Sequence, residues 1–203
     1  MDLRFRQTYT NEFYQTEFLT RETFWNLYNP GCTEHFILHN LRQSDAYIKQ
    51  LDLVVLQEDN IVGHIISTRA KVVDNEGTSH EALCVGPFAI DSKFQSKGIG
   101  TQLMNYLIKE SKKLGFKGIV LFGNPHYYSR FGFKNAKEYH IATKDGMNFD
   151  AFMVLELQEK GLTHAQGKFF EDKAFEVDED QLIIFDKQFP SKVKGEPKIN
   201  INI

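Results

Sequence analysis

A chain of 203 residues that is 41% hydrophobic and 13% aromatic can bury a full core and fold unaided, most simply as one domain with a small appendage. Its 24 basic and 27 acidic residues leave a formal charge of −3; the signs are interspersed, so no basic field gathers nucleic acid or an anionic membrane, and a small or peptide-like partner is expected. Cys32 and Cys84 stand far apart, the chain opens on the charged Met1-Asp2-Leu3-Arg4, and no apolar run approaches the roughly 20 residues of a membrane span, so the expected location is cytoplasmic.

Leu3, Phe5 and Gln7 alternate with Arg4, Arg6 and Thr8 as a short first strand would. From Asn11 to Tyr28 apolar residues recur at three- and four-residue intervals, and Asn29-Pro30-Gly31 punctuates the end of this predicted helix. Thr33 is placed to cap a second helix with Phe36, Ile37 and Leu41 on its inner side. Leu51 to Leu56 and Ile61 to Val73 flank Gln57-Glu58-Asp59-Asn60 as a hairpin. A further strand, Ala82 to Ile90, contains Gly86-Pro87, which predicts a bulge or a splay because proline cannot donate to a ladder. A helix from Gly98 to Leu114, a strand from Gly118 to Phe122, a helical turn near Tyr127 to Phe131 and a strand from Phe152 to Leu157 follow. From Gly161 onward the chain is less hydrophobic; Phe169-Phe170 and Leu182-Ile183-Ile184-Phe185 predict one more strand and a short helix, and 191–203 reads as loosely tethered. The order is mixed α/β, with a main domain over 1–160 and a C-terminal extension over 161–203 packed on or near it.

The chemistry concentrates after the strand ending at Ile90. Gln95-Ser96-Lys97-Gly98-Ile99-Gly100-Thr101 leads straight into a helix. Two glycines there remove side chains that would block a ligand, and first-turn N–H groups have no partners inside the helix. Those donors and the helix dipole suit a phosphate, to which Lys97 adds a point charge. The Walker pattern lacks its Gly-Lys-Ser/Thr ending, and the dinucleotide fingerprint lacks its third glycine, position 103 being Leu. A phosphate-bearing ligand of another kind is expected.

These residues resemble the GNAT acetyltransferases. Gln95 to Gly100 matches their Gln/Arg-x-x-Gly-x-Gly/Ala signature, and Tyr128-Ser129-Arg130-Phe131-Gly132-Phe133 looks like their Tyr-x-x-x-Gly-Phe element. The run Gly123-Asn124-Pro125-His126-Tyr127-Tyr128 is similar to a subgroup of mostly bacterial, predicted acetyltransferases, as is Gly31-Cys32-Thr33-Glu34-His35; the likeness is strongest over 51–133. It implies a twisted mixed sheet flanked by helices and splayed into a V between the strands ending at Ile90 and Phe122. Acetyl-coenzyme A would lie in that V as cosubstrate, held by Phe88, Ala89, Ile90, Gln95 to Thr101, Asn124 and Tyr127. A primary amine, on a small molecule or a peptide, would attack the thioester directly. Tyr128 is the expected proton donor to the departing thiolate. Glu34 and His35 are possible bases or substrate contacts, beside His64 and Glu81, and Asn124 has an equal claim to a turn role. Phe18, Phe24, Trp25 and Tyr28 either wall a substrate pocket or pack the core. The seven histidines are scattered and imply no metal, His35 and His39 having helical spacing without a ligand set. The other reading of the same fold is a non-catalytic acyl-coenzyme A sensor; a monomer and a homodimer are both compatible with it.

Overall fold

The computed structural model describes residues 2–199; the end of the segment 191–203 lies outside the described residues. Its strands are β1 (Leu3–Gln7), β2 (Asp52–Gln57), β3 (Asn60–Asp74), β4 (Ser79–Ile90), β5 (Gly118–Phe122), β6 (Lys134–Asn135), β7 (Ile141–Thr143), β8 (Phe152–Glu156) and β9 (Gly167–Phe170). The helices are α1 (Phe13–Phe24), α2 (Glu34–Gln43), α3 (Ile99–Lys113), α4 (Pro125–Tyr128) and α5 (Glu179–Asp186). One mixed sheet runs β1-β2-β3-β4-β5-β8-β6, with β9 beside the far end of β3 and β7 beside β9. Both edges of this description contain strands, β6 and β7, that alternation did not signal, because two or three residues are too few to show a period.

The strands β2 and β3 read as near-continuous apolar runs because both faces of the sheet are covered. On one face, Leu53, Val55, Val62 and Ile65 pack with Ile99, Leu103, Met104 and Leu107 of α3. On the other, Ile66 meets Leu38 and Leu41 of α2. Leu103 and Leu107 are fully buried, each contributing about 1.5–3 kcal/mol through removal from water.

Two features part the sheet. Between β3 and β4 the register passes from Ile65↔Phe88 to Ser67↔Val85, so Gly86 and Pro87 together oppose Ile66 and form the expected bulge. Between β4 and β5 the parallel pairing consists of Leu83↔Ile119 and Cys84↔Val120. Beyond these pairs β4 continues to Ile90 and β5 to Phe122 without pairing to each other among the described residues, which is the V.

Three local expectations are corrected. The first long helix stops at Phe24, where Trp25 leaves helical geometry at ψ 119 and Asn26 turns to φ +55. Its inward side is Thr16, Glu17, Thr20 and Arg21 rather than the aromatic residues, since these polar groups find buried partners: Thr20 bonds back to the Thr16 carbonyl at 2.8 Å and Glu17 meets Arg42. Thr33 stands at the α2 N-cap without a capping hydroxyl bond; instead the Glu34 carboxylate accepts from the Thr33 N–H at 3.0 Å. The segment 191–199 is tied down, with Lys198 N–H donating to the Asn26 carbonyl and Ile199 N–H to that of Leu27, both at 2.9 Å.

Candidate active site

At the end of β4 the chain makes a short turn in which the Asp91 carboxylate accepts from the Lys93 N–H at 2.9 Å. Gln95 then folds back, its carboxamide donating to the Ile90 carbonyl at 2.9 Å. This bond pins the loop to the parted edge of the sheet. Ser96 sits at φ +59 and Gly98 at φ +77; a non-glycine residue in the left-handed region stores about 1–3 kcal/mol of strain, which tends to persist where a ligand clamp needs it. Gly98 is the N-cap of α3 and supplies no side-chain cap, so the first-turn N–H groups and the positive helix end face outward. At Gly100 a Cβ would come within 2.9 Å of the Tyr127 hydroxyl and 3.3 Å of the Phe88 ring.

A cleft of about 480 Å³ opens here, floored by Phe88, Ile90, Gln95, Ser96, Gly98, Gly100 and Thr101, walled by Tyr127 and Arg130, and roofed by Thr23, Phe24, Leu27 and Tyr28 from the end of α1. Most of the expected loop residues therefore meet in one place. Ile99 is buried under the helix and Ala89 within the sheet. Lys97 turns along the loop, donating to the Lys93 carbonyl at 2.8 Å beside the Phe94 ring, and Asn124 is spent on capping α4, accepting from the His126 N–H at 2.9 Å.

The open edge of β4 has defined polarity. Asp91 N–H donates to the Val62 carbonyl on β3, so alternation along the strand turns the N–H groups of Phe88 and Ile90 the other way, into the V. A ligand with amide groups can pair there as an added strand does.

Tyr128 packs beneath Tyr127, ring centroids 5.0 Å apart and edge to face. Its ring packs against Gly123, where any Cβ would overlap it. Burial, with the nearby phenols of Tyr127 and Tyr28, raises the Tyr128 hydroxyl well above the ordinary tyrosine range, so it holds its proton at neutral pH.

A second cleft of about 420 Å³ adjoins the first through Phe24 and Tyr28, which line both. Pro30, Cys32, Thr33 and Glu34 form one side, Leu182 and Ile183 of α5 the other, with Glu179 and Lys194 at the rim. Burial raises the Glu34 carboxyl above its ordinary value, opposed in part by its hydrogen bonds from backbone N–H groups. Glu34 in turn helps to raise Tyr28 after burial does. Tyr28 thus lies within electrostatic reach of both Glu34 and Tyr128. Burial, then Glu34, pushes the Cys32 thiol up to about 12, which leaves it no thiolate for nucleophilic work.

The other sequence candidates lie elsewhere. His35 is fully buried and lines neither cleft; its Nε2 is 3.0 Å from Asp186 and its Nδ1 3.4 Å from the Cys32 sulfur. Asp186 also accepts two bonds from Arg21, at 2.6 and 3.0 Å. His64 is fully buried with Asp52 at 2.7 Å, and Arg42 bonds the same carboxylate at 2.8 Å. Glu81 is exposed and pairs with Arg69 at 3.3 Å. Of the early aromatics, Phe24 and Tyr28 line the clefts, Trp25 is buried, and Phe18 stacks beside the Tyr14–Phe189 pair at 6.4 Å from each ring.

Sequence reasoning passed over Arg130, Gly123 and the α5 side chains. Arg130 occupied an unspecified position of a motif, and Gly123 is explained only by what rests on it. The α5 residues reach the cleft from more than 140 positions away in the chain, beyond any local pattern. Taken together, helix-end donors, a parted strand edge and the Tyr127 phenol fit a phosphate-containing ligand whose amide-bearing arm enters the V, while Tyr128 lines neither cleft and packs against Tyr127.

Comparison with known proteins points the same way. Residues 9–133 match the sequence model of the acetyltransferase (GNAT) family. The uncharacterized N-acetyltransferase YhbS of Escherichia coli K12 is 25% identical over 131 residues, spanning 64% of this chain and 76% of that protein. The crystal structure of YhbS from Escherichia coli in complex with CoA superposes with a TM-score of 0.75, covering 85% of this chain and 91% of that one at 22% identity. A GNAT family acetyltransferase from Brucella melitensis in complex with acetyl-CoA gives 0.70, covering 86% and 99% at 23% identity. At these identities the two structures establish a shared fold.

Proposed function

The chain belongs to the GNAT family of acetyltransferases, and we propose that it transfers the acetyl group of acetyl-coenzyme A to a primary amine by direct attack within a ternary complex. The observation that carries this reading is the meeting, in one cleft, of the uncapped α3 start, the parted edge of β4 and Tyr127. A second, amine-side cleft joined to it through Phe24 and Tyr28 favours turnover over a sensor, which would need no acceptor space.

Acetyl-coenzyme A, when bound, supplies an acetyl carbon activated by its sulfur leaving group. The α3 N-terminus and the Gln95 to Gly100 loop hold the pyrophosphate, and the inward N–H groups of Phe88 and Ile90 pair with the pantetheine arm and polarise the thioester oxygen. Glu34, whose raised pKa brings it toward the working pH, takes the proton of the incoming ammonium. Tyr128 keeps a proton at its hydroxyl for the departing sulfur. Across the whole step a C–N bond forms and the C–S bond breaks, and the ammonium nitrogen gives up two protons: the first passes through Glu34 to solvent before attack, and the second leaves as the amide forms and replaces the one Tyr128 delivers to the sulfur. His35 is assigned a positioning role through Asp186.

Calorimetric titration of acetyl-coenzyme A into the wild type and a Gly98→Glu, Gly100→Glu double variant tests the cofactor site. Micromolar binding that vanishes in a variant with an unchanged far-ultraviolet spectrum is expected; no binding by folded wild type sinks the proposal.

A further inference from the structure

Resting on that reading, we propose that the C-terminal segment builds the outer wall of the acceptor site and selects an amine with an apolar, ring-sized body. The wall is part of the fold. Arg21 grips Asp186 at the end of α5 through two hydrogen bonds of 2.6 and 3.0 Å, with Arg21 itself almost wholly buried. The Trp25 indole N–H donates to the Val193 carbonyl at 3.0 Å, and backbone bonds from Lys198 and Ile199 to Asn26 and Leu27 continue the clasp. The strap thus runs beside the α1 end that roofs the cofactor cleft.

What α5 presents inside the second cleft is an apolar pair. Leu182 and Ile183 line it opposite Glu34, and Ile183 is 56% exposed, so its side chain is open to a ligand in the cleft. Inside the cleft the titratable carboxylate is the partly buried Glu34; Glu179 and Lys194 stand at the exposed rim. An ammonium directed to Glu34 lies beside Tyr28, on the route to the cofactor cleft. The remainder of such a molecule must pass between Phe24 and the pair Leu182 and Ile183. A volume of about 420 Å³ falls in the range of small-molecule sites, roughly 300–1,000 Å³.

Thiol release from acetyl-coenzyme A is measured with 2-phenylethylamine, ethylamine and putrescine as probes, for wild type, Ile183→Asp and the neighbouring Ile184→Asp. Ile184 is 58% exposed and lines neither cleft, so it controls for added charge on α5. Wild type and Ile184→Asp are expected to prefer 2-phenylethylamine in kcat/KM by about tenfold or more, the scale of apolar discrimination in a pocket. Ile183→Asp should erase that preference while acetyl-coenzyme A binding stays unchanged. Absence of a preference, its survival in Ile183→Asp, or no thiol release with any probe by a protein that binds acetyl-coenzyme A overturns the inference alone. Failure of wild type to bind acetyl-coenzyme A overturns the proposed function beneath it.

Discussion

Tyr128 owes its place to a glycine. Its ring occupies the volume a Cβ on Gly123 would take, so Gly123→Ala must push the phenol away from its present position. Tyr128→Phe removes the proton and leaves the packing. Both variants are expected to lower kcat by about a hundredfold, within the usual range for general acid catalysis, with calorimetric acetyl-coenzyme A affinity retained; unchanged kcat in Tyr128→Phe removes the residue from the mechanism. Glu34 differs in being read through pH. Its pKa lies above the ordinary carboxylate value because of burial, so kcat/KM should rise with pH as Glu34 ionises, and Glu34→Gln should lose that rising limb. A profile unaltered by the substitution would assign proton removal to another group.

At the scale of elements, α5 is held by charge as much as by packing. Burial alone would raise Asp186, yet the hydrogen bonds and charge of Arg21, with those of His35, outweigh it and keep the carboxyl below its ordinary value. Burial lowers His35 to about 4, against the pull of Asp186. Asp186, held as a carboxylate, can only accept, so the neutral imidazole presents Nε2–H to it. Since the folded pKa of His35 is below the unfolded one, the unfolded chain binds the proton first as pH falls. The stability from neutral His35 is complete above the unfolded value of 6.5 and is lost as pH drops toward 4. Urea unfolding should therefore show about 2–3 kcal/mol less stability at pH 4.5 than at pH 7.5 from this group, and His35→Gln should flatten the difference. Asp186→Ala leaves the buried Arg21 guanidinium without its carboxylate and is expected to cost about 3 kcal/mol in the same assay.

For the whole molecule, the cleft proposed for the cofactor is lined by residues of α1, α3, α4 and β4, so occupancy should stabilise the entire fold. Acetyl-coenzyme A at a hundredfold excess over its Kd should contribute about 2.7 kcal/mol, raising Tm by roughly 5–10 °C for a chain of this size, while the Gly98→Glu, Gly100→Glu variant should show no shift. A wild-type Tm indifferent to the ligand would contradict a site spanning these elements. The same scale separates what was readable in advance from what was not. The helix of α3, its glycine start, the hairpin of β2 and β3 and the Gly86-Pro87 bulge follow from periodicity and backbone chemistry within a few neighbouring residues, and they are where those rules put them. The uncapped, glycine-bearing start of α3 was legible for the same reason, because helix-end donors and missing side chains are local properties. The polar inner face of α1 was not, since Thr16, Glu17 and Arg21 are tolerable inside only when Arg42 and Asp186 arrive to pair with them. Nor were the burial of His35 and His64, the ring of Tyr128 on Gly123, or the α5 wall of the second cleft. Each joins residues distant in the chain, and whether a charged or aromatic side chain faces solvent, ligand or partner is an energy that exists only once the chain has folded around it.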